Sequence, residues 1–294
     1  MTTRMACLAL AALAVAAPSL AQQKMLQVKG SDTLVNLSQV WAETFTDQTG
    51  KMVAVTGGGS GTGIAALIDG KCHLANSSRD ISAKELELAR KKGVTPVGIA
   101  VAVDGLSVVV NAKNPLKALK VEDIGRLFRG EISNWKQLGG ADAPVTLYGR
   151  QPNSGTYVFF QEHVLGNKDY ATGMNQMNGN AQILESVAKD ASAVGYVGVG
   201  YVLGEDGKVL KGIKPLDVIA KDGKTVSPLD RKAVKSGKYP LARALYQYTN
   251  GKPKGDVLAL LQFELSAEGQ KIAEKEGFDA IGGGLVKQNQ AALK

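Results

Sequence analysis

Three short segments of this sequence share a mixture of glycine, serine and threonine. They are Gly30-Ser31-Asp32-Thr33, the run Gly57 to Gly63 (GGGSGTG), and Arg150-Gln151-Pro152-Asn153-Ser154-Gly155-Thr156. Each follows an apolar run that reads as a strand and precedes a pattern with helical period. A helix start leaves backbone N–H groups without intrahelical partners, and the macrodipole adds about half a positive charge there. Glycine removes the Cβ that would hold an anion away, and Ser or Thr adds a hydroxyl donor. Such a turn can cap its own helix or receive an anion, and capping alone explains any one of the three. Three together, with Arg150 leading into the last, suit a small tetrahedral oxyanion, because a guanidinium binds two oxygens in one plane. A fourth segment, Asn76-Ser77-Ser78-Arg79-Asp80, brings two more hydroxyls and a second arginine to a helix start. Arg79 has an alternative there, a surface pair with Asp80 or Glu85.

Other chemistries fit these residues less well. The glycine run lacks the Gly-Lys-Ser/Thr ending of a phosphate-binding loop, and its glycines miss the dinucleotide-fold spacing. The two histidines, His73 and His163, form no metal-ligand pattern. Neither is placed by sequence beside the Ser-Gly-Thr turns, where it might activate a serine as a base. The candidates are therefore binding residues, with no catalytic residue, metal or cofactor expected.

The elements that must carry these turns follow from periodicity. Val-rich runs at Met25–Lys29, Met52–Thr56, Val94–Val103, Leu106–Asn111, Val145–Tyr148 and Val194–Val202 read as buried strands. Between them, Leu37, Val40, Trp41 and Phe45, then Ile64, Leu67 and Ile68, then Tyr157, Phe160 and Val164 recur at helical spacing. Strand and helix alternate, which predicts an α/β fold with largely parallel sheets. No repeat or Pro/Ser linker separates domains. Val97–Val110 and Gly212–Ile219 are long enough to cross between two lobes, one built from both chain ends and the other from the middle. The boundaries expected are 22–104 plus 212–294 for lobe I and 105–211 for lobe II, with ligands held between them.

Composition excludes several classes. Apolar residues make up 44% and charged residues 21% of the 294, which rules out a disordered chain, a collagen and a coiled coil. Residues 1–21 read as a cleavable secretory signal: Arg4, then a short apolar run from Met5 to Ala17, then Ser19-Leu20-Ala21 with cleavage expected after Ala21. Cys72 is the one cysteine left after that cut, so no internal disulfide is expected. Export to the periplasm is the destination that fits. The formal charge of +8 points to anionic partners. Nucleic acid fits poorly, since the lysines are scattered and no arginine-rich stretch alternates with aromatics.

With these segments in view, the chain resembles the PstS-type phosphate-binding proteins of bacterial ABC importers. The resemblance runs from about Leu26 to about Leu285. It is carried by Gly30-Ser-Asp-Thr-Leu34, Gly59-Ser60-Gly61, Ser77-Ser-Arg79, Arg150 with Ser154-Gly-Thr156, Val194-Gly-Tyr-Val-Gly198 and Leu265-Ser-Ala-Glu-Gly-Gln270. It implies a two-lobed periplasmic-binding-protein fold (venus-flytrap, type II), α/β, with a mixed sheet flanked by helices in each lobe. It also implies a monomer that delivers inorganic phosphate to an inner-membrane importer permease. By position, Thr33 donates its hydroxyl and N–H, Leu34 its N–H, and Ser60 its hydroxyl. Arg150 neutralises charge, and Ser154, Gly155 and Thr156 form the cradle at the third helix start. Ser78, with Arg79 after it, stands where well-known members carry an aspartate that accepts the phosphate proton. Pro152 replaces a second aspartate. A buried carboxylate facing an unprotonated anion costs on the order of several kcal/mol, so the change bears on selectivity against sulfate rather than on oxyanion binding. Asp32 and Asp80 are the alternative proton acceptors. The competing functions are binding of sulfate, molybdate or tungstate, and a secreted phosphatase on the same fold.

Overall fold

The computed structural model describes residues 25–204 and 206–293, so the expected signal segment lies outside the described residues. In chain order the elements are β1 (Leu26–Gly30), α1 (Val35–Thr49), β2 (Val53–Thr56), α2 (Ser60–Ile68), β3 (Leu74–Ser77), α3 (Ala83–Lys91), β4 (Pro96–Asn111), β5 (Ala118–Lys120), α4 (Val121–Phe128), β6 (Thr146–Arg150) and α5 (Gly155–His163). The remainder are β7 (Asn175–Met177), α6 (Asn180–Lys189), β8 (Ala193–Gly198), β9 (Ile213–Pro215), β10 (Asp217–Ile219), β11 (Thr225–Val226), α7 (Arg231–Lys235), β12 (Ala242–Asn250), α8 (Gly255–Glu264), α9 (Ala267–Lys275) and α10 (Gly283–Leu293).

One strand organises the molecule. The apolar sequence from Pro96 to Asn111 is a single strand of 16 residues, not the two strands expected on either side of Asp104-Gly105. Its first half pairs with β12, and its second half pairs with β8 and β9. The sheet therefore runs β2-β1-β3-β12-β4-β8-β6-β7, with β9 also on β4. The β1–β2, β1–β3, β6–β7 and β6–β8 pairs are parallel, as strand–helix alternation requires. The pairs around β4 and β12 are antiparallel, so the expectation of largely parallel sheets holds only in the two outer parts. A separate three-stranded sheet joins β11, β10 and β5.

Two apolar cores lie on either side of the β4 midpoint. Leu26, Val28, Leu37, Trp41, Phe45, Leu74, Ile99, Leu245 and Leu261 form one. Leu106, Val108, Leu127, Phe128, Trp135, Phe160 and Tyr196 form the other, joined by Leu216, Val218, Val234, Tyr239 and Leu241. Each large side chain buried in this way contributes roughly 1.5–3 kcal/mol. Residues 213–241 thus pack with the middle of the chain. The outgoing and returning crossings are adjacent: the Leu106 N–H donates to the Leu241 carbonyl at 2.9 Å, and the Tyr239 hydroxyl donates to the Leu106 carbonyl at 2.8 Å.

Candidate functional site

The three glycine-hydroxyl turns converge. β1 and β2 point their carboxyl ends at one region from one half, and β6 does so from the other, so α1, α2 and α5 all begin there. Gly59 precedes Ser60 at φ 92°, a left-handed conformation that an L side chain resists, and a Cβ there would lie 2.6 Å from the Asn153 carbonyl oxygen. The close approach is used: the Gly61 N–H donates to the Asn153 carbonyl at 3.0 Å, and Asn153 Nδ2 donates to the Gly58 carbonyl at 2.9 Å.

Thr33, Ser60, Ser78, Arg150, Ser154 and Thr156 are all buried within this convergence. The Thr33 and Thr156 hydroxyls lie 3.0 Å apart. Ser60 Oγ accepts from the Ser78 N–H at 3.0 Å and lies 3.3 Å from Ser78 Oγ. Gly155 sits against both serines, since a Cβ on it would come 2.3 Å from Ser60 Oγ and 2.7 Å from Ser78 Oγ. Ser154 caps α5, its oxygen accepting from the Thr156 and Tyr157 N–H groups, which leaves its hydroxyl hydrogen to donate.

Arg150 is 1% exposed. Its Nη2 donates to Asp32 Oδ2 and to the Asn178 carbonyl, whereas its Nε and Nη1 are buried with no hydrogen-bond partner in the protein. An arginine with unmet buried donors is costly unless an acceptor meets them. Unmet donors on a buried guanidinium are available to acceptor oxygens such as those of an anion. Asp32 balances the same arginine, and its Oδ1 accepts from the Gly58 N–H at 2.6 Å.

Three expected donors are engaged elsewhere. The Leu34 N–H donates to the Ser31 carbonyl at 3.1 Å, and the Thr33 N–H donates to Ser31 Oγ at 3.2 Å, because Ser31 closes a local turn onto both. Arg79 grips Glu85 with two bonds of 2.8 and 2.7 Å, and Glu85 in turn belongs to the capping box that opens α3 with Ser82. Burial raises the Glu85 carboxyl, but the guanidinium and the Ser82 bonds win and hold it below the usual range.

The structure adds residues that the turns did not reveal. Arg243 on β12 and Asp104 on β4 form a fully buried pair, with Arg243 Nη2 to Asp104 Oδ2 at 2.7 Å. Burial pushes the Asp104 carboxyl up against the pull of Arg243 and pushes the guanidinium down. A guanidinium's intrinsic basicity keeps it charged. Asp104 was visible as one acid in an otherwise apolar run, and Arg243 stands in phase with buried Leu245 and Gln247. Tyr201 donates to the Asp32 carbonyl at 2.7 Å. Asn180 opens α6 and is buried, and nothing in its Asn-Gly-Asn setting separates it from a turn residue.

The histidines stand apart from the serines. His73 Nδ1 accepts from the Gln27 N–H, and His163 is stacked on Phe159 with Nδ1 2.9 Å from that residue's carbonyl. Among the described residues no cluster of three or more His, Cys, Asp or Glu is arranged to hold a metal ion. The site's chemistry is that of hydroxyl, amide and guanidinium donors.

A curled mixed sheet with helices on both faces, and donors gathered where three helices start, define a periplasmic-binding-protein-like solute receptor: the family described as the PBP superfamily domain matches residues 15–268. Within that class the chain belongs to the PstS phosphate-binding proteins, as the sequence resemblance implied. It is 31% identical over 267 residues to the phosphate-binding protein PstS of Pseudomonas aeruginosa, covering 85% of this chain and 80% of that one. To PstS of Bacillus subtilis it is 30% identical over 259 residues, covering 86% and 79%. A solved phosphate ABC transporter substrate-binding protein from Clostridium perfringens, with bound phosphate, superposes with a TM-score of 0.77 at 26% identity, over 88% of this chain and all of that one. These relatives are named as binding proteins and not as enzymes.

Proposed function

We propose that this protein captures inorganic phosphate between its two halves and hands it to an ABC importer. The observation that carries the reading is Arg150: buried, held by Asp32, with Nε and Nη1 unmet where the α1, α2 and α5 starts meet. Thr33, Ser60, Ser78, Ser154 and Thr156 gather their hydroxyls there, and the missing Cβ of Gly155 lets Ser60 and Ser78 approach the start of α5. Arg79 and the Thr33 and Leu34 N–H groups are left out of this set, because their bonds lie elsewhere. We assign lobe II to about residues 105–241 rather than 105–211, a division supported by the packing of Leu216, Val218, Tyr239 and Leu241 with the middle of the chain.

The partner in this reading is an inner-membrane permease, the receptor acts as a monomer, and it is exported with cleavage after Ala21. Intact-mass measurement of the exported chain tests the cleavage, and a mass that still includes residues 1–21 rejects it. The function is tested by calorimetric titration of residues 22–294, unfolded and refolded to strip retained ligand, with phosphate and then sulfate. Saturable phosphate binding with no heat from sulfate is the expected result; no heat from phosphate overturns the reading.

A second reading, a receptor with a wider oxyanion range, draws support from Ser78. Asp32 is the carboxylate beside the unmet donors, and its two oxygens already serve Arg150 and Gly58. Equal binding of phosphate and sulfate in the same titration selects this alternative.

A further inference from the structure

Two buried arginines flank the site, and they differ in what their donors do. Arg150 leaves two nitrogens unmet. Arg243 is fully committed: Nε and Nη2 donate to Asp104 Oδ2 at 3.0 and 2.7 Å, Nη1 to the Ser78 carbonyl at 3.1 Å, and Nη2 also to Thr156 Oγ1 at 3.1 Å. The Phe159 ring lies under it, 5.2 Å from centroid to guanidinium carbon. Asp104 is pinned in turn by the Val199 N–H on its other oxygen. Held from all sides, Arg243 cannot swing in as a direct ligand.

Its bond to Thr156 has a consequence for hydrogen placement. A guanidinium only donates, so Thr156 Oγ1 accepts there and its own hydrogen must point elsewhere. The choices are Thr33 Oγ1, 3.0 Å away, or a bound anion. If the hydrogen goes to Thr33, the Thr33 hydrogen is driven outward in the same sense. Either Thr156 donates to the anion itself, or it donates to Thr33 and Thr33 donates to the anion, so one hydroxyl hydrogen of the pair is turned toward the site.

Building on the phosphate reading above, we propose that Arg243 is a positioning residue: by making Thr156 Oγ1 its acceptor, it turns one hydroxyl hydrogen of the Thr156–Thr33 pair toward the bound oxyanion. The competing account is an ion pair that only holds β4 to β12. That account predicts lost stability, and any loss of affinity would be independent of Thr156.

The test is a double-mutant cycle on the full mature chain, read by phosphate calorimetry. Arg243→Lys keeps the charge beside Asp104 but shortens the fork. It is expected to weaken phosphate binding about tenfold with Thr156 present and less than about twofold in a Thr156→Val background, the coupling expected of groups in one network. A Thr156→Ser background, which restores a hydroxyl, is expected to restore the tenfold loss. If Arg243→Lys does not fold, the charge-neutral Asp104→Asn, Arg243→Gln variant replaces it in the same three backgrounds. Equal losses in the Thr and Val backgrounds, or no loss in either, overturn the proposal. Wild type is titrated first: if it ignores phosphate but binds sulfate, the phosphate reading fails and the cycle is run with sulfate. Wild type that binds neither overturns both.

Discussion

The hydroxyls of Thr33 and Thr156 lie 3.0 Å apart although 123 residues separate them in sequence. Thr33 precedes α1 in one half of the molecule and Thr156 lies in the first turn of α5 in the other. Nearby bonds have the same character: Arg150 to Asp32, Gly61 to Asn153 and Tyr201 to Asp32 all join the halves. The groups that would grip an anion are thus also the groups that hold the halves together. In the function proposed above, opening would break these bonds, and an anion that meets the unmet Arg150 donors would favour the closed arrangement. Such a receptor couples binding to closure through differential contacts.

Arg150→Ala removes a guanidinium with two unmet buried donors and leaves Asp32 without its charge partner. Phosphate affinity is expected to fall at least about 100-fold, since truncating one side of a buried charged contact costs about 3–5 kcal/mol. Calorimetry on the refolded, ligand-stripped chain reads this directly. An affinity within threefold of wild type removes Arg150 from the site.

Gly155→Ala inserts a methyl 2.3 Å from Ser60 Oγ and 2.7 Å from Ser78 Oγ. Gly155 is the first residue of α5, where alanine is a better helix former by about 1 kcal/mol. Overpacking of about 1–3 kcal/mol offsets that gain, so the ligand-free chain should melt at or below the wild-type temperature while phosphate binding drops by about two orders of magnitude. Thermal melts with and without phosphate separate the two effects, and a full ligand-induced shift in the variant contradicts the packing.

Arg79→Ala is expected to do the reverse. The Arg79–Glu85 pair has side-chain exposures of 10% and 20%, so its loss costs roughly 1 kcal/mol after partial screening by solvent. Phosphate affinity should stay within about threefold, because both Arg79 Nη groups are held by Glu85 and the Asp80 carbonyl. Urea unfolding and calorimetry on one preparation decide this. A hundredfold affinity loss would return Arg79 to the binding set.

Glu264 predicts a pH dependence of stability. It is 1% exposed in the core under β12, with Gln247 Nε2 donating to its Oε1 at 3.2 Å. Burial pushes its carboxyl up to about 8 from an ordinary 4.5, opposed by the Gln247 bond. Between those values the folded chain keeps a proton that the unfolded chain has released. Stability therefore falls as pH rises through that window and levels off above it. Glu264→Gln should flatten the slope and raise stability near pH 8 by on the order of a few kcal/mol, measured by urea unfolding at several pH values. An unchanged slope rejects the assignment.

Much of the site was legible in the sequence because its logic is local. A strand, a glycine-hydroxyl turn and a helix start are neighbours in the chain, and the donors they expose follow from helix ends wherever the turn lies. Thr33, Ser60, Arg150, Ser154, Gly155 and Thr156 were readable for that reason, and so was the alternating α/β pattern. The role of each arginine was not. Arg79 and Arg150 both stand at serine turns, yet one grips Glu85 six residues away and the other reaches Asp32 across 118 residues. Arg243 carries no turn signal at all, because its partner Asp104 lies 139 residues earlier on the neighbouring strand. The return of the chain near Leu241 was hidden in the same way, since nothing local says which of two cores Leu216 or Tyr239 will enter. Sequence neighbours determined which groups can donate to an anion. Strand pairing across β4 and β12 decided which donors are already satisfied, and only the unsatisfied ones are left for a ligand.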